Sequence, residues 1–108
     1  MVQVTEAGLL QEVHALCGEF GLLVHHCRDS RACDGNKGLP DLIIAGPGGV
    51  IFAELKSEDG ERSADQDLWA WTLTRACDGG SVRMDYQLWR PTDLTSGLIR
   101  AELERIAK

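Results

Sequence analysis

A chain of 108 residues with 44% hydrophobic residues has the size and composition of one globular domain, so we expect a single domain over residues 1–108. It has no run of 18 apolar residues, and residues 1–6 lack the basic start and apolar core of a signal peptide. We therefore expect no membrane and a cytoplasmic location. The formal net charge of −6 argues against indiscriminate nucleic-acid binding through bulk charge, but it does not exclude a DNA enzyme whose carboxylates bind metal ions.

The cysteines do not predict a disulfide framework, because no secretion signal accompanies them. Partly buried, inert thiols are the simpler expectation. A zinc site is the alternative, since two histidines precede Cys27, but no CxxC pair occurs in the sequence. The residues concerned are Cys17, Cys27, Cys33 and Cys77, with His25 and His26.

The first predicted element is an amphipathic helix. Thr5 has the character of an N-cap, apolar residues recur at helical spacing from Leu9 to Cys17, and Gly18 and Gly21 follow. Glu6 is in line with the apolar stripe, one turn before it. It either interacts favourably with the helix dipole or has a task near the core.

A strand predicted over residues 21–27 leads into a polar loop over residues 28–38. Three basic residues of this loop are candidate phosphate contacts, and a fourth lies in the charged turn after the next two strands. Solvated surface charge is an equally good interpretation of the loop residues. The candidate DNA-binding residues are Arg28, Arg31, Lys37 and Arg62.

The central stretch, residues 38–56, predicts a β-hairpin. Apolar runs over 42–45 and 50–53 flank a turn rich in Gly and Pro. If residues 46–49 form the loop, Ala45 faces Val50 and the pairing continues outward until Asp41 faces Glu54. Lys56 then shares the face of Glu54, because side chains alternate along a strand.

Facing carboxylates at the open end of an apolar hairpin need a compensating charge. Like charges directly opposite on a sheet are destabilising. Lys56 offsets part of the repulsion between Asp41 and Glu54, and a hard divalent cation such as Mg²⁺ would offset more. Ordinary solvated strand ends are the other interpretation of these three residues.

The remaining chain predicts a helix, a strand and a second helix. Ser63 to Gln66 matches the S-x-x-Q capping box, and the helix continues to Cys77 with Trp69 and Trp71 expected in its core stripe. Stacking on nucleobases is the alternative role of the two tryptophans. Residues 81–89 alternate as a half-exposed strand near an edge, and residues 96–107 form an amphipathic helix. We therefore expect an α/β fold with a mixed sheet of about four strands, an αβββαβ core and a C-terminal helix.

These motifs resemble the PD-(D/E)XK nuclease superfamily, whose fold is restriction-endonuclease-like. The matching pieces are Pro40-Asp41, Glu54-Leu55-Lys56 and a following helix with Gln66. The opening G-L-P-D-L and the later S-x-x-Q-x-x-W are most similar to the VRR-NUC branch, especially its small stand-alone members in phages. The resemblance covers most of the chain, from Glu6 to Trp89.

The resemblance implies a metal-dependent endonuclease that hydrolyses DNA phosphodiester bonds in a bacterial or phage-infected cell. Asp41, Glu54 and the Leu55 carbonyl would bind Mg²⁺ or Mn²⁺, and Glu6 would complete the metal site. Lys56 would orient or activate the attacking water, and Gln66 would support the site beside its capping role.

The sequence does not select the DNA structure. Superfamily members include Holliday-junction resolvases that act as dimers, flap nucleases and nicking enzymes, and a small domain can need a second copy to clasp DNA. A homodimer is thus one expected assembly. The alternative function is a catalytically silent nucleic-acid-binding or assembly module with the same fold.

Overall fold

The computed structural model describes residues 4–26, 34–77 and 83–108. The helices and strands within these ranges are α1 (Glu6–Phe20), β1 (Leu23–His26), β2 (Leu42–Gly46), β3 (Gly49–Leu55), α2 (Ala64–Cys77), β4 (Met84–Trp89), α3 (Pro91–Thr95) and α4 (Leu98–Ala107).

The four strands form one mixed sheet in the order β1-β2-β3-β4. The first three strands are antiparallel, and β4 runs parallel to β3 because α2 provides the crossover connection. The predicted α/β class, the αβββαβ order and the C-terminal helix are confirmed. The edge position of β4, which its half-exposed pattern predicts, is also confirmed.

The hairpin has the predicted register. Ala45 pairs with Val50, and the ladder continues outward to the pair formed by Leu42 and Ala53. Pairing also extends one step inward, from Gly46 to Gly49, so the turn has two residues rather than four. The tip is held against the end of α4, where the Gly48 N–H donates to the Ile106 carbonyl at 2.8 Å.

The two faces of the sheet are covered unequally. One face, which we name the closed face, is fully buried under α1 and α4 and consists of Leu42, Ile44, Ile51, Ala53 and Leu55. The other, which we name the open face, is only half-buried and consists of Ile43, Ala45, Val50, Phe52 and Tyr86, with Glu54 at its end. The alternation of side chains along each strand separates the two sets.

Helix α1 begins and ends as the sequence indicates. The Thr5 hydroxyl accepts from the Gly8 N–H at 3.0 Å, and Gly21 ends the helix in the left-handed conformation, with φ +68°. Cys17 is buried in the core, and burial raises the pKa of its thiol to about 11, as expected for an inert thiol. Cys27 and Cys33 of the zinc hypothesis lie outside the described residues.

One prediction about the later elements is wrong. Helix α2 does not bury both tryptophans: Trp69 is half-buried and Trp71 is 59% exposed, because α2 covers only the β4 side of the open face. Residues 91–95 add the short helix α3, which the sequence pattern does not predict, and Pro91 is well suited to its first helical position.

No helix in the described part of the chain combines the length and apolar character needed to cross a membrane.

Candidate functional site

The carboxylates of Asp41 and Glu54 meet where β2 begins and β3 ends. The two carboxyl groups lie close enough for a hydrogen bond between them when Glu54 is protonated. Glu54 is only 1% exposed, and it is the one buried charged residue of the described chain. The Asp41 carboxylate also accepts from the Leu55 N–H at 2.7 Å, which fixes Asp41 against the end of β3.

The environment of Glu54 opposes its ionisation. Burial, followed by the negative charge of Asp41 and the hydrogen bond that protonated Glu54 donates to it, raises the pKa of Glu54 to about 8. Lys56 lowers this pKa, but its charge does not offset the other effects. A cation bound by the two carboxylates would relieve the same repulsion and favour the ionised form of Glu54.

Gln66 joins the carboxylate pair to helix α2. Its amide Nε2 donates to Glu54 Oε1 at 2.9 Å, while its Oε1 accepts from the Ser63 N–H at 2.8 Å. The Gln66 N–H donates in turn to the Ser63 hydroxyl at 3.2 Å, which completes the capping box. One side chain thus caps the helix with its oxygen and holds Glu54 with its nitrogen.

Lys56 follows β3 directly, and its N–H donates to the Trp89 carbonyl at 3.0 Å. Arg90, the residue after β4, contacts the turn that follows Lys56. Its Nη1 donates to the carbonyls of Ser57 and Gly60, each at 2.7 Å. The Glu58 carboxylate accepts from the N–H and hydroxyl of Thr92. These contacts fix the backbone on both sides of Lys56.

Glu6 lies near the pair without joining it. It is exposed in the first turn of α1 and lines a cavity of about 360 Å³ together with His26, Asp41 and Leu55. Its negative charge makes a small contribution to the raised pKa of Glu54. Within residues 4–26, 34–77 and 83–108, no three His, Cys, Asp or Glu side chains are grouped closely enough to hold a metal ion together.

The donor set nevertheless fits a hard divalent cation. Asp41 and Glu54 supply carboxylate oxygens, which such cations prefer. The N–H and C=O of one strand residue point to the same side of the strand, so the Leu55 carbonyl lies on the side from which its N–H reaches Asp41. These three residues would hold Mg²⁺ or Mn²⁺.

A groove opens from the site along α2. It consists of two adjoining cavities of about 580 and 560 Å³, of which the first includes Asp41 and Gln66 and the second extends to Leu68 and Thr72. We name it the loop–α2 groove, because residues 34–41 form one wall and α2 forms the other. Each of the two cavities is within the range of about 300–1,000 Å³ typical of ligand sites.

The structure describes two of the four candidate DNA-binding residues. Lys37 lines the loop–α2 groove. Arg62 is engaged in contacts of its own, because its guanidinium pairs with Asp67 at 2.9 Å and donates to the Tyr86 hydroxyl at 3.2 Å. Arg28 and Arg31 lie outside the described residues.

Sequence patterns did not indicate several residues that surround the site. Arg90 reaches turn residues about thirty positions earlier, so only the β3–β4 pairing brings it there. His26, which the sequence offers only as an alternative zinc ligand, adjoins Asp41 in the cavity near Glu6. Helical spacing predicts that Trp69 lies in the core stripe of α2. Its position after the S-x-x-Q box was the available signal for a location beside the site.

Comparison with known proteins identifies no matching family model and no similar curated protein. Among solved structures, the chain is similar to Hjc, a Holliday junction resolvase of the archaeal hyperthermophile Archaeoglobus fulgidus. The sequence identity is 20%, the TM-score is 0.45, and the match covers 80% of this chain and 65% of that chain. A likeness at this level carries no functional argument, so function is argued from the site residues.

Proposed function

We propose that this protein is a divalent-metal-dependent DNA endonuclease of the PD-(D/E)XK type. The observation that carries the proposal is the buried Glu54 carboxyl, within hydrogen-bonding reach of Asp41 and followed two residues later by Lys56. Burying the Glu54 carboxylate beside that of the partly buried Asp41 costs stability unless a proton or a cation compensates the charge. A site that binds a metal ion and a phosphate explains why the chain has these two carboxylates beside a lysine.

Each site residue has a chemical role in this proposal. Asp41, Glu54 and the Leu55 carbonyl hold Mg²⁺ or Mn²⁺, which supplies polarisation of the phosphoryl oxygen and a water of lowered pKa. Lys56 places a positive charge where negative charge grows on the phosphate in the transition state and orients the attacking water. Gln66 keeps Glu54 in position through its amide.

Substrate binding is proposed less specifically. DNA is the expected substrate; branched, flap or junction DNA are the candidate structures, and nicking of one strand is the alternative mode of cleavage. Lys37 and Arg62, with Arg28 and Arg31, are the candidate phosphate contacts, although Arg62 would have to be shared with Asp67 and Tyr86. A second copy of the chain would extend the binding surface of so small a domain.

The test is cleavage of four labelled DNAs, namely a continuous duplex, a single strand, a flap and a four-way junction, in Mg²⁺, Mn²⁺ or EDTA. We expect cleavage that requires the metal. Lys56→Ala should lower its rate by roughly 100- to 1,000-fold, the usual effect of removing one group that stabilises transition-state charge. Asp41→Ala should abolish cleavage.

The control is Lys108→Ala, which removes a lysine that is 77% exposed at the end of α4. It should cleave like the wild-type protein, and circular dichroism should show that all three variants are folded. Cleavage in EDTA, or full activity of the Lys56→Ala protein, would contradict the mechanism. Binding of DNA without cleavage in either metal would favour the catalytically silent module.

A further inference from the structure

The loop–α2 groove is a large concave surface that leads directly to Asp41 of the proposed catalytic pair. Asp41 and Gln66 lie at its inner end, and Leu68, which is 63% exposed, lies at its outer end. Trp69 lines both of its cavities and is half-buried between them. When a phosphate of the substrate is bound at Asp41, the atoms next to that phosphate therefore lie at the inner end of this groove.

The walls of the groove are fixed to each other. The Trp69 indole N–H donates to the Asn36 carbonyl at 3.2 Å, which sets the orientation of the ring. Gly38 has φ +94°, and a Cβ at this position would lie 2.4 Å from the Asp65 carbonyl carbon. Glycine is thus required both for the left-handed backbone and for the close approach of the loop to α2. The groove exists before any ligand binds.

The chemistry of the lining favours an uncharged planar group over a phosphate. Its charged residues are Asp34, Asp41 and Asp65 against Lys37 alone, so the interior repels an anion. Trp69 and Leu68 supply apolar surface, while Asn36 and Thr72 provide polar groups at the edges. A nucleobase has the matching properties, with a π-face for stacking and hydrogen-bonding groups around its rim.

We infer that the loop–α2 groove binds an unpaired nucleobase of the DNA substrate, stacked on Trp69 beside the phosphate to be cleaved. In a continuous duplex the bases are held inside the stack, and a base can enter a protein groove only if it is unpaired or flipped out. The site therefore selects DNA with an unpaired nucleotide next to the cleavage position. This inference rests on the proposed nuclease function, because it names the substrate of that same site.

The experiment measures binding rather than cleavage. Fluorescence anisotropy in EDTA gives the affinity of the full chain for a forked DNA and for a continuous duplex of the same sequence. A series of forked DNAs carries one abasic residue at each position around the branch. At one position, loss of the base should weaken binding by about 5- to 150-fold, the usual effect of losing one base–aromatic stack.

Substitutions on α2 assign that base to the groove. In the Trp69→Leu protein, the abasic residue should no longer weaken binding, because the ring on which the base stacks is gone. Trp69→Phe should restore most of the difference in affinity between the intact and the abasic DNA. Trp71→Leu is the matched control, since Trp71 is exposed on the same helix and does not line the groove. Leu68→Ser, at an exposed rim position, gives an independent test if Trp69→Leu does not fold.

The inference is overturned if Trp69→Leu or Leu68→Ser weakens binding equally with and without the base. It is also overturned if duplex and forked DNA bind equally or neither binds measurably. Metal-dependent cleavage of a fully paired duplex with no preference for a fork would leave the nuclease proposal intact and remove only this inference. A base-dependent preference without cleavage in any metal would remove the nuclease proposal and leave the groove as a base-binding site.

Discussion

The closed and open faces of the sheet are built by the same strands but differ in what they bury. On the closed face, Leu42, Ile44 and Ile51 are wholly inaccessible beneath α1 and α4. On the open face their immediate neighbours Ile43 and Phe52 are half-buried, and the only fully buried group is the Glu54 carboxyl. One face therefore supplies the apolar core, and the other carries the site.

The contrast explains how the chain accommodates a buried acid. Apolar burial stabilises by about 25 cal/mol per Å², so a continuous apolar face under two helices can offset a local electrostatic cost. Glu54 lies at the end of the open face, where Gln66 and Asp41 provide hydrogen-bonding partners. Stability and reactivity are thus separated by the alternation of side chains along β3.

The largest expected effect on stability separates the two faces directly. Ile44→Ala should lower the free energy of unfolding by about 2–5 kcal/mol, because it leaves a cavity in a fully packed core. Ile43→Ala removes the same atoms from the preceding residue of the same strand. It should lower the free energy of unfolding by less, since the Ile43 side chain is partly exposed. Urea unfolding of both variants measures the difference, and equal losses would show that the faces contribute alike.

The next prediction concerns pH. Because the pKa of Glu54 is raised from 4.5 to about 8 in the folded protein, the folded state holds a proton that the unfolded state releases. In EDTA, the stabilising contribution of this group should be complete below pH 4.5 and decline until about pH 8. Glu54→Gln should flatten that dependence of the unfolding free energy. An unchanged slope would show that Glu54 is not the titrating group.

Gln66 allows the two tasks of one side chain to be separated. Gln66→Glu keeps an oxygen for the helix cap but loses the amide that donates to Glu54, and it adds a negative charge there. A hydrogen bond to a charged carboxylate is stronger than one between neutral groups. Because the Gln66→Glu protein lacks this bond to Glu54, its cleavage rate should fall about 10-fold or more.

Gln66→Ala is the companion variant. It should show a similar loss of activity and, in addition, lose about 0.3–1.5 kcal/mol from the missing cap. Cleavage and thermal unfolding are measured on both proteins. Wild-type activity of Gln66→Glu would restrict Gln66 to capping.

The smallest expected effect is that of Glu6. It is exposed and acts on the site through solvent, where a charge–charge interaction is worth about 1 kcal/mol. Glu6→Gln should therefore weaken metal affinity by about 5-fold or less, as measured by titration calorimetry. Glu12→Gln, an exposed acid farther along the same helix, is the control. A loss larger than 10-fold would make Glu6 a direct ligand.

Local pattern determined most of the fold. The spacing of apolar residues and the turn at Pro47-Gly48 set the hairpin register, and one further step beyond the pair of Leu42 and Ala53 brings Asp41 opposite Glu54. The Thr5 and Ser63 caps located two helix starts, because capping depends on residues within one turn. These features could be predicted since each involves neighbours in sequence or a fixed side-chain period.

Tertiary structure decided how completely each element is covered. Helical spacing places Trp69 and Trp71 on an apolar stripe of α2. The position of α2 over one side of the open face leaves Trp71 exposed and places Trp69 in a groove. The burial of Glu54 and the contacts of Arg90 likewise depend on segments far apart in the chain. The sequence thus determined which charges meet, whereas packing determined how far they are removed from water, and that removal sets their chemistry.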